Sequence, residues 1–458
     1  MAQTKRTNRR DFLRTTTAAG VGFWVAAGVS IPESRAANET INFACIGVGG
    51  KGSSDSEDCE RNGNIVAICD VDEDTLGKSA DRPGFEKAKK YYDYRKMLDE
   101  VGKEIDAVTV STPDHNHAPA AAMAMKMGKA CFTQKPLTHA ISEARALGDI
   151  ARQTKVATQM GNQGTANTKL RLGAAAIQAG VIGNVKEVHV FTNRPIWPQG
   201  VDRPATGDPV PSTLHWDEWI GPAPMRPYAR GIYHPFAWRG WWDFGTGALG
   251  DMACHTVNLP FAALNLRDPI SVTAKTSGHN KETYPSWSII EFEFPANDKR
   301  PPVKMIWYDG KQLPPISILD NQDYAACEPL AKALKWKADS GEGMLTGCLF
   351  VGEKGGLFGQ GDYSDDIAPI GVEMPNDLQY KKSPGHFKEW VNAIKGGEPA
   401  MSNFPDYAGP LTETILLGNL AVWAEGTKVE WDAKNMVATN APELKSIVFP
   451  EYRAGYSL

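Results

Sequence analysis

At 458 residues the chain is longer than one ordinary hydrophobic core serves, so two domains are expected. Its 42% apolar content and net charge of -5 fit a soluble globular protein and give no reason to expect nucleic acid as a partner. Downstream of the N-terminus no apolar run approaches the ~18–20 residues of a membrane span, and the seven cysteines show neither Cys-x-x-Cys nor metal-finger spacing.

Residues 1–37 read as an address and are set aside from the fold. Asn8-Arg9-Arg10-Asp11-Phe12-Leu13-Arg14 resembles the twin-arginine export signal, a moderately apolar stretch follows, and Ser34-Arg35-Ala36 offers small residues for cleavage. The expectation is export to the periplasm by the twin-arginine machinery, with no lipid anchor. That route carries folded proteins, so a cofactor not freely present outside the cytoplasm would have to leave already bound.

The first domain, 38–160, opens on an apolar strand, 41–46, that runs into Gly47-x-Gly49-x-x-Gly52. Gly47 permits the tight strand-to-helix turn, Gly49 lets the backbone approach a diphosphate, and Gly52 lets the helix lie close to the sheet. The helix start then offers amide donors to the anion, with Gly50 among them. A second strand, 64–69, ends at Asp70, an acid placed to accept from the adenosine ribose hydroxyls. With Asp72 nearby a 2′-phosphate would be repelled, so NAD is favoured over NADP. The strand 105–110 stops at Ser111-Thr112-Pro113, where proline turns the chain into a loop suited to cofactor contacts. A helix (116–128), a strand (130–133) ending at Gln134-Lys135-Pro136, another helix (140–154) and a strand (156–160) follow. This alternation predicts a parallel sheet with helices on both faces, a Rossmann dinucleotide-binding domain.

The order of motifs resembles the Gfo/Idh/MocA oxidoreductases: the Gly47/Gly49/Gly52 turn, Asp70, the loop Ser111-Thr112-Pro113-Asp114-His115-Asn116-His117, and Lys135-Pro136. The resemblance implies that Thr112, Pro113 and His117 line the cofactor site, His117 near the nicotinamide ribose. It also implies that Lys135 stands beside the nicotinamide and the substrate hydroxyl. One position departs from the family pattern, Gln134 standing where Glu is usual. A neutral amide would not hold the lysine protonated as a carboxylate can. His115 reads as a loop or capping residue. The two histidines have no third ligand close in sequence, and no metal is assigned.

The second domain, 161–440, is expected from the resemblance to be α+β with an open, mostly antiparallel sheet that supplies a homo-oligomer contact, dimer or tetramer. Predicted elements are a helix (167–179), strands at 185–191, 272–276, 287–294 and 303–308, and a hairpin around 349–357. A polar insertion (309–340) and two amphipathic helices (386–395 and 409–423) complete it, before a tail at 441–458. The stretch 194–244 is dense in aromatics and glycine or proline. Its rings either stack on pyranose faces or pack the insertion onto the domain. Arg239, His234 and Trp241 are its candidate substrate contacts. Asp251 and His255, four apart near a helix start, share one face. They resemble the family's Asp-x-x-x-His, which implies His255 as acid/base, Asp251 as its partner and Lys135 as polariser of the substrate oxygen.

These readings predict an exported NAD-dependent oxidoreductase acting on a sugar, polyol or glycoside. Two alternatives stay open: a redox-assisted glycosidase or lyase that regenerates NAD in each cycle, and a sugar-binding relative without turnover.

Overall fold

The computed structural model describes residues 40–458. The twin-arginine motif and its cleavage site lie outside the described residues.

Apolar strands with no polar face must be covered on both sides, and the first sheet meets that condition. It comprises β1 (Ile41–Ile46), β2 (Gly63–Cys69), β3 (Lys89–Tyr91), β4 (Ala107–Val110), β5 (Ala130–Thr133) and β6 (Thr158–Met160). The order is β3-β2-β1-β4-β5-β6, with every neighbouring pair parallel. The connections reverse direction between β1 and β4, which opens a crevice at their carboxyl ends. Both Gly47 and Ser111 sit at that edge.

The second sheet contains β7 (Val185–Phe191), β8 (Ser271–Thr276), β9 (Ser288–Phe294), β10 (Val303–Tyr308), β11 (Gly347–Gly352), β12 (Gly356–Gln360), β13 (Asp366–Ile370), β14 (Val429–Asp432) and β15 (Val437–Ala438). Its order is β13-β12-β11-β7-β10-β9-β8-β14-β15. β7 and β10 run parallel and the other neighbours antiparallel. The alternation of β9 is legible in burial: Ser288, Ile290, Phe292 and Phe294 face inward, and the residues between them are half-exposed.

Two expectations change. The Gly409–Trp423 helix is not amphipathic: it is buried on nearly every side, wedged between the Ile141–Thr154 and Gly247–Thr256 helices and strands β8 and β9. Its polar members are satisfied internally, Asn419 donating to the Thr246 carbonyl at 2.8 Å and Glu413 accepting from Arg145. The 309–340 segment is also more than a polar insertion. Tyr324 in the Gln322–Ala326 helix, and Leu330, Ala333 and Leu334 in the Glu328–Leu334 helix, build a small core against Phe191, Tyr308, Leu349 and Phe358. The His386–Ile394 helix packs back on the first domain, setting Phe387 and Trp390 against Phe43 and Phe132.

Buried histidines give this fold a predictable acid sensitivity. Burial pushes the His115 imidazole down to about 3 and that of His386 down to about 4. Their pKa values in the unfolded chain stand near 6.5, so below that pH the unfolded state takes up protons the folded state refuses. Stability is therefore expected to be full above about pH 6.5 and to fall toward pH 5, by up to ~1.4 kcal/mol per pH unit for each such histidine. Urea unfolding at pH 7, 6 and 5 measures this, and a flat profile would contradict it.

Candidate functional site

One cleft of about 630 Å³ runs from the glycine turn to the Gly247–Thr256 helix. At its first end the backbone is tightly specified. Gly47 has φ +76°, and a Cβ there would lie 2.5 Å from the Ser111 carbonyl oxygen. A Cβ on Gly52 would lie 2.1 Å from the Gly47 oxygen, so the Lys51–Glu60 helix can start only this close to the turn without side chains. Gly47, Gly49 and Gly50 line the cleft; of the first-turn amides, those of Gly52 and Ser53 donate to the Gly49 and Gly50 carbonyls at 2.9 and 3.2 Å. Asp70 also lines the cleft, its carboxylate accepting from the Val48 amide at 3.0 Å and the Asp72 amide at 3.1 Å. Burial raises its pKa against these bonds. Thr112 and Pro113 close the wall beyond β4. The turn, the helix start and the acid at the end of β2 fit a dinucleotide diphosphate and ribose.

His117 requires a correction. The ring is buried, with Nδ1 2.8 Å from the Pro136 carbonyl and Nε2 2.8 Å from the Thr112 carbonyl. Lying between two backbone carbonyls, to one of which a neutral ring can donate, the residue packs the β4 loop against the β5 loop and does not line the cleft. His115 does the same work elsewhere, between the carbonyls of Phe244 (3.1 Å) and Trp219 (3.0 Å). Among the described residues no three His, Cys, Asp or Glu side chains gather as a metal site.

At the other end of the cleft, Lys135, Asp251 and His255 come together. Lys135 Nζ donates to Asp251 Oδ1 and to the Asp251 carbonyl, each at 2.8 Å. Arg239 Nε lies 3.4 Å from the same Oδ1. Burial would push the Asp251 carboxyl up, but the Lys135 and Arg239 cations hold it below the ordinary carboxylate range. His255 is buried one helical turn on. Burial, with the Lys135 ammonium nearby, keeps its imidazole well below the usual histidine value despite the opposing Asp251 charge. Its Nδ1 has no partner among the described residues. Tyr363 stands edge-on to the ring at 4.7 Å.

The structure also accounts for Gln134. Its Nε2 donates at 2.8 Å to Asp55 Oδ2, which also accepts from Ser111 Oγ at 2.8 Å. Asp55 is buried and pairs with Lys51 through its other oxygen. A carboxylate at 134 would face a carboxylate, and the amide is the side chain that can donate there.

The aromatic insertion mostly packs itself. Trp216 stacks on Trp219 at 4.7 Å, and Arg226 sits over Tyr233, Trp241 and Phe244 with Asp243 as its counter-ion. Trp241 is therefore corrected as a substrate contact: it is 2% exposed, donates to the Ile232 carbonyl at 3.0 Å, and is absent from the cleft wall. His234 lines the cleft, but beside Asp72 at 3.7 Å, on the Asp70 side and not in the Lys135 cluster. Arg239 keeps its place in the cleft, held over Trp238 at 4.3 Å and Phe236 at 4.5 Å. Sequence reasoning passed over Trp238, Arg194 and Tyr363, all of which line the same end. Trp238 adjoins Arg239 in sequence, a usable signal. Tyr363 arrives from the β12–β13 turn, with nothing local to mark it.

Gln134→Glu is expected to lower stability by about 1–3 kcal/mol, by setting two carboxylates in one buried site. Asp55→Asn with Gln134→Glu reverses the pair and should recover part of the loss. Denaturant midpoints of the two single variants and the double variant measure the coupling, and strict additivity would refute the contact's role.

Residues 41–162 match the model of the oxidoreductase family's NAD-binding Rossmann fold, and 176–299 match that family's C-terminal alpha/beta domain. A glycosyl hydrolase family 109 protein of Shewanella pealeana is 30% identical over 173 residues, covering 32% of this chain and 38% of that protein. The WlbA dehydrogenase of Bordetella pertussis, solved with NADH and UDP-GlcNAcA, superposes with a TM-score of 0.59 at 16% identity, covering 86% of this chain and 99% of its own. Levoglucosan dehydrogenase, solved with NADH and levoglucosan, gives 0.57 at 14% identity, covering 85% and 99%. These two likenesses show a shared fold. With both family domains matched in order across more than half of its length, the chain belongs to the Gfo/Idh/MocA oxidoreductase family.

Proposed function

We propose that the protein is an NAD-dependent oxidoreductase that transfers hydride between a carbinol carbon of a sugar, polyol or glycoside and a tightly held nicotinamide cofactor. One observation carries this reading: Lys135, Asp251 and His255 line the same cleft as the glycine turn and Asp70. When bound, the nicotinamide supplies the hydride acceptor. The residues of the chain handle the proton. A base must be neutral to act, and burial with Lys135 keeps His255 neutral. Its Nδ1 is buried without a partner, so the ring, which lines the cleft, can meet a substrate hydroxyl proton only through Nε2. The imidazolium that results is compensated by the ionised Asp251 one turn away. The Lys135 ammonium, fixed on Asp251, stabilises negative charge on the substrate oxygen. Asp70 and Asp72 side by side disfavour a 2′-phosphate, which supports NAD over NADP.

A redox-assisted glycoside hydrolase is the second reading, supported by the 173-residue likeness to a glycosyl hydrolase family 109 protein. In that cycle hydride leaves the sugar and the neighbouring carbon loses its acidified proton. The aglycone then departs, water adds and hydride returns. No free NAD is consumed, which suits an exported protein. Export by the twin-arginine route to the periplasm, and a homo-oligomeric state, belong to the same proposal. Arg9→Lys with Arg10→Lys should hold the protein in the cytoplasmic fraction, and unchanged secretion would remove the export reading.

His255→Ala should lower turnover by ~10²–10⁴ with cofactor still held, whereas Asp70→Ala should mainly reduce the cofactor recovered with the protein. Net NADH formation with a free sugar identifies the dehydrogenase; aryl-glycoside cleavage at constant NADH identifies the hydrolase. If His255→Ala stays within a few-fold of wild type, the assigned base is wrong. Because His255 and Asp251 both titrate below their ordinary ranges, kcat/KM should hold its plateau below about pH 6 before the acid limb falls.

A further inference from the structure

We propose that the segment 450–458 is a strap that completes the adenosine end of the cofactor cleft, with the Tyr456 ring as an adenine contact. The inference rests on the dinucleotide reading above and extends it to residues outside both family-matched domains.

Sheet order defines the two ends of the cleft. Lys135 follows β5, on one side of the β1/β4 crevice, while Asp70 follows β2 and Tyr92, Asp93 and Tyr94 follow β3, on the other. Adenosine belongs on the β2 side, where the acid meets the ribose. Tyr92, Asp93 and Tyr94 line the cleft there with Glu218, and Tyr456 lines it with them, 362 residues beyond Tyr94 in the chain.

Three attachments hold the strap in place. Tyr452 donates its hydroxyl proton to the buried Glu143 at 2.5 Å, on the Ile141–Thr154 helix of the first domain. Arg453 donates to Asp217 Oδ1 at 2.5 Å, to the Asp217 carbonyl at 2.7 Å and to the Gly221 carbonyl at 2.9 Å, all in the insertion. Arg95, fixed by Asp93 at 2.9 Å, donates to the Gly455 carbonyl at 3.3 Å and lies over the Tyr456 ring at 4.5 Å. Arg453 approaches the same ring at 5.7 Å, so two guanidinium groups flank an aromatic ring that is only partly covered. An aromatic face at the wall of a nucleotide cleft is a stacking platform for a base. The attachments join the first domain to the insertion across that end, so the strap flanks the place of a bound adenosine.

The test measures release of dinucleotide from the purified full chain by exchange against excess ADP-ribose, and ADP-ribose affinity by calorimetry. Tyr456→Ala is expected to speed release and weaken ADP-ribose roughly tenfold, within the range of base–aromatic stacking. Tyr456→Phe should stay within about twofold of wild type, because the stack needs the ring and not the hydroxyl. Arg453→Ala, with Tyr456 intact, should also speed release by freeing the strap. Wild-type behaviour of Tyr456→Ala, in a variant with unchanged circular dichroism, would overturn the proposal, as would Tyr456→Phe releasing as fast as Tyr456→Ala. A wild-type protein that neither carries dinucleotide nor binds ADP-ribose would overturn the dinucleotide reading and the strap together. Loss of sugar turnover with ADP-ribose binding intact would count against the proposed reaction alone.

Discussion

A single carboxylate in the cleft wall, that of Asp251, its side chain 14% exposed, organises the centre of this molecule. It accepts the Lys135 ammonium from the first domain and faces the Arg239 guanidinium from the aromatic insertion, while His255 follows one turn along its own helix. Taking such charges out of water is costly, and their mutual attraction offsets the cost only while every partner is in place. Removing one partner leaves the others uncompensated, at a cost on the order of 3–5 kcal/mol. The same arrangement keeps an imidazole neutral beside a cation and an anion, a state suited to receiving a proton. Stability and chemistry at this point therefore rest on the same contacts.

Comparable buried acids join the rest of the cleft. Asp55 gathers Ser111, Gln134 and, from its own helix, Lys51, so two loops of the first domain meet at one carboxylate. Asp114 accepts from Thr246 at 2.6 Å and ties the β4 loop to the start of the Gly247–Thr256 helix. Glu413 receives Arg145, linking the long buried helix to the first domain. Histidines act in the same way through backbone carbonyls: His115 and His117 in the first domain, and His139, which lies 2.8 Å from the Trp242 carbonyl. Most of these contacts, those of Lys51 and Thr112 apart, join segments distant in sequence. Those of Asp114, Glu413, His115 and His139 join the first domain to the second.

The aromatic insertion shows how far composition alone carries an argument. Its rings could equally serve a sugar or a core. Most of them pack on one another and on Arg226, while Trp197, Trp219, Phe236 and Trp238 reach the cleft wall. Choosing among them depends on which face of a folded loop each ring occupies, and no local pattern encodes that.

The elements of the first domain were legible because apolar strands, glycine turns and a proline stop act locally, over a few residues. Strands β1, β2, β4 and β5 and the helix between β4 and β5 fall within a few residues of the predicted bounds. The positions of Gly47, Asp70, Lys135, Asp251 and His255 along the chain were legible for the same reason, each lying at the end of an element or one turn into a helix. What local pattern could not specify was partnership. That Gln134 answers Asp55, that the His117 ring meets the Pro136 carbonyl, that Trp241 is interior, and that the segment after 450 returns to Arg95 beyond β3 all depend on contacts between residues separated in sequence. By itself the sequence determined which backbone turns and which reactive groups the molecule would have. Only the tertiary structure decided which of those groups face one another, because charge compensation and burial are properties of neighbours in space.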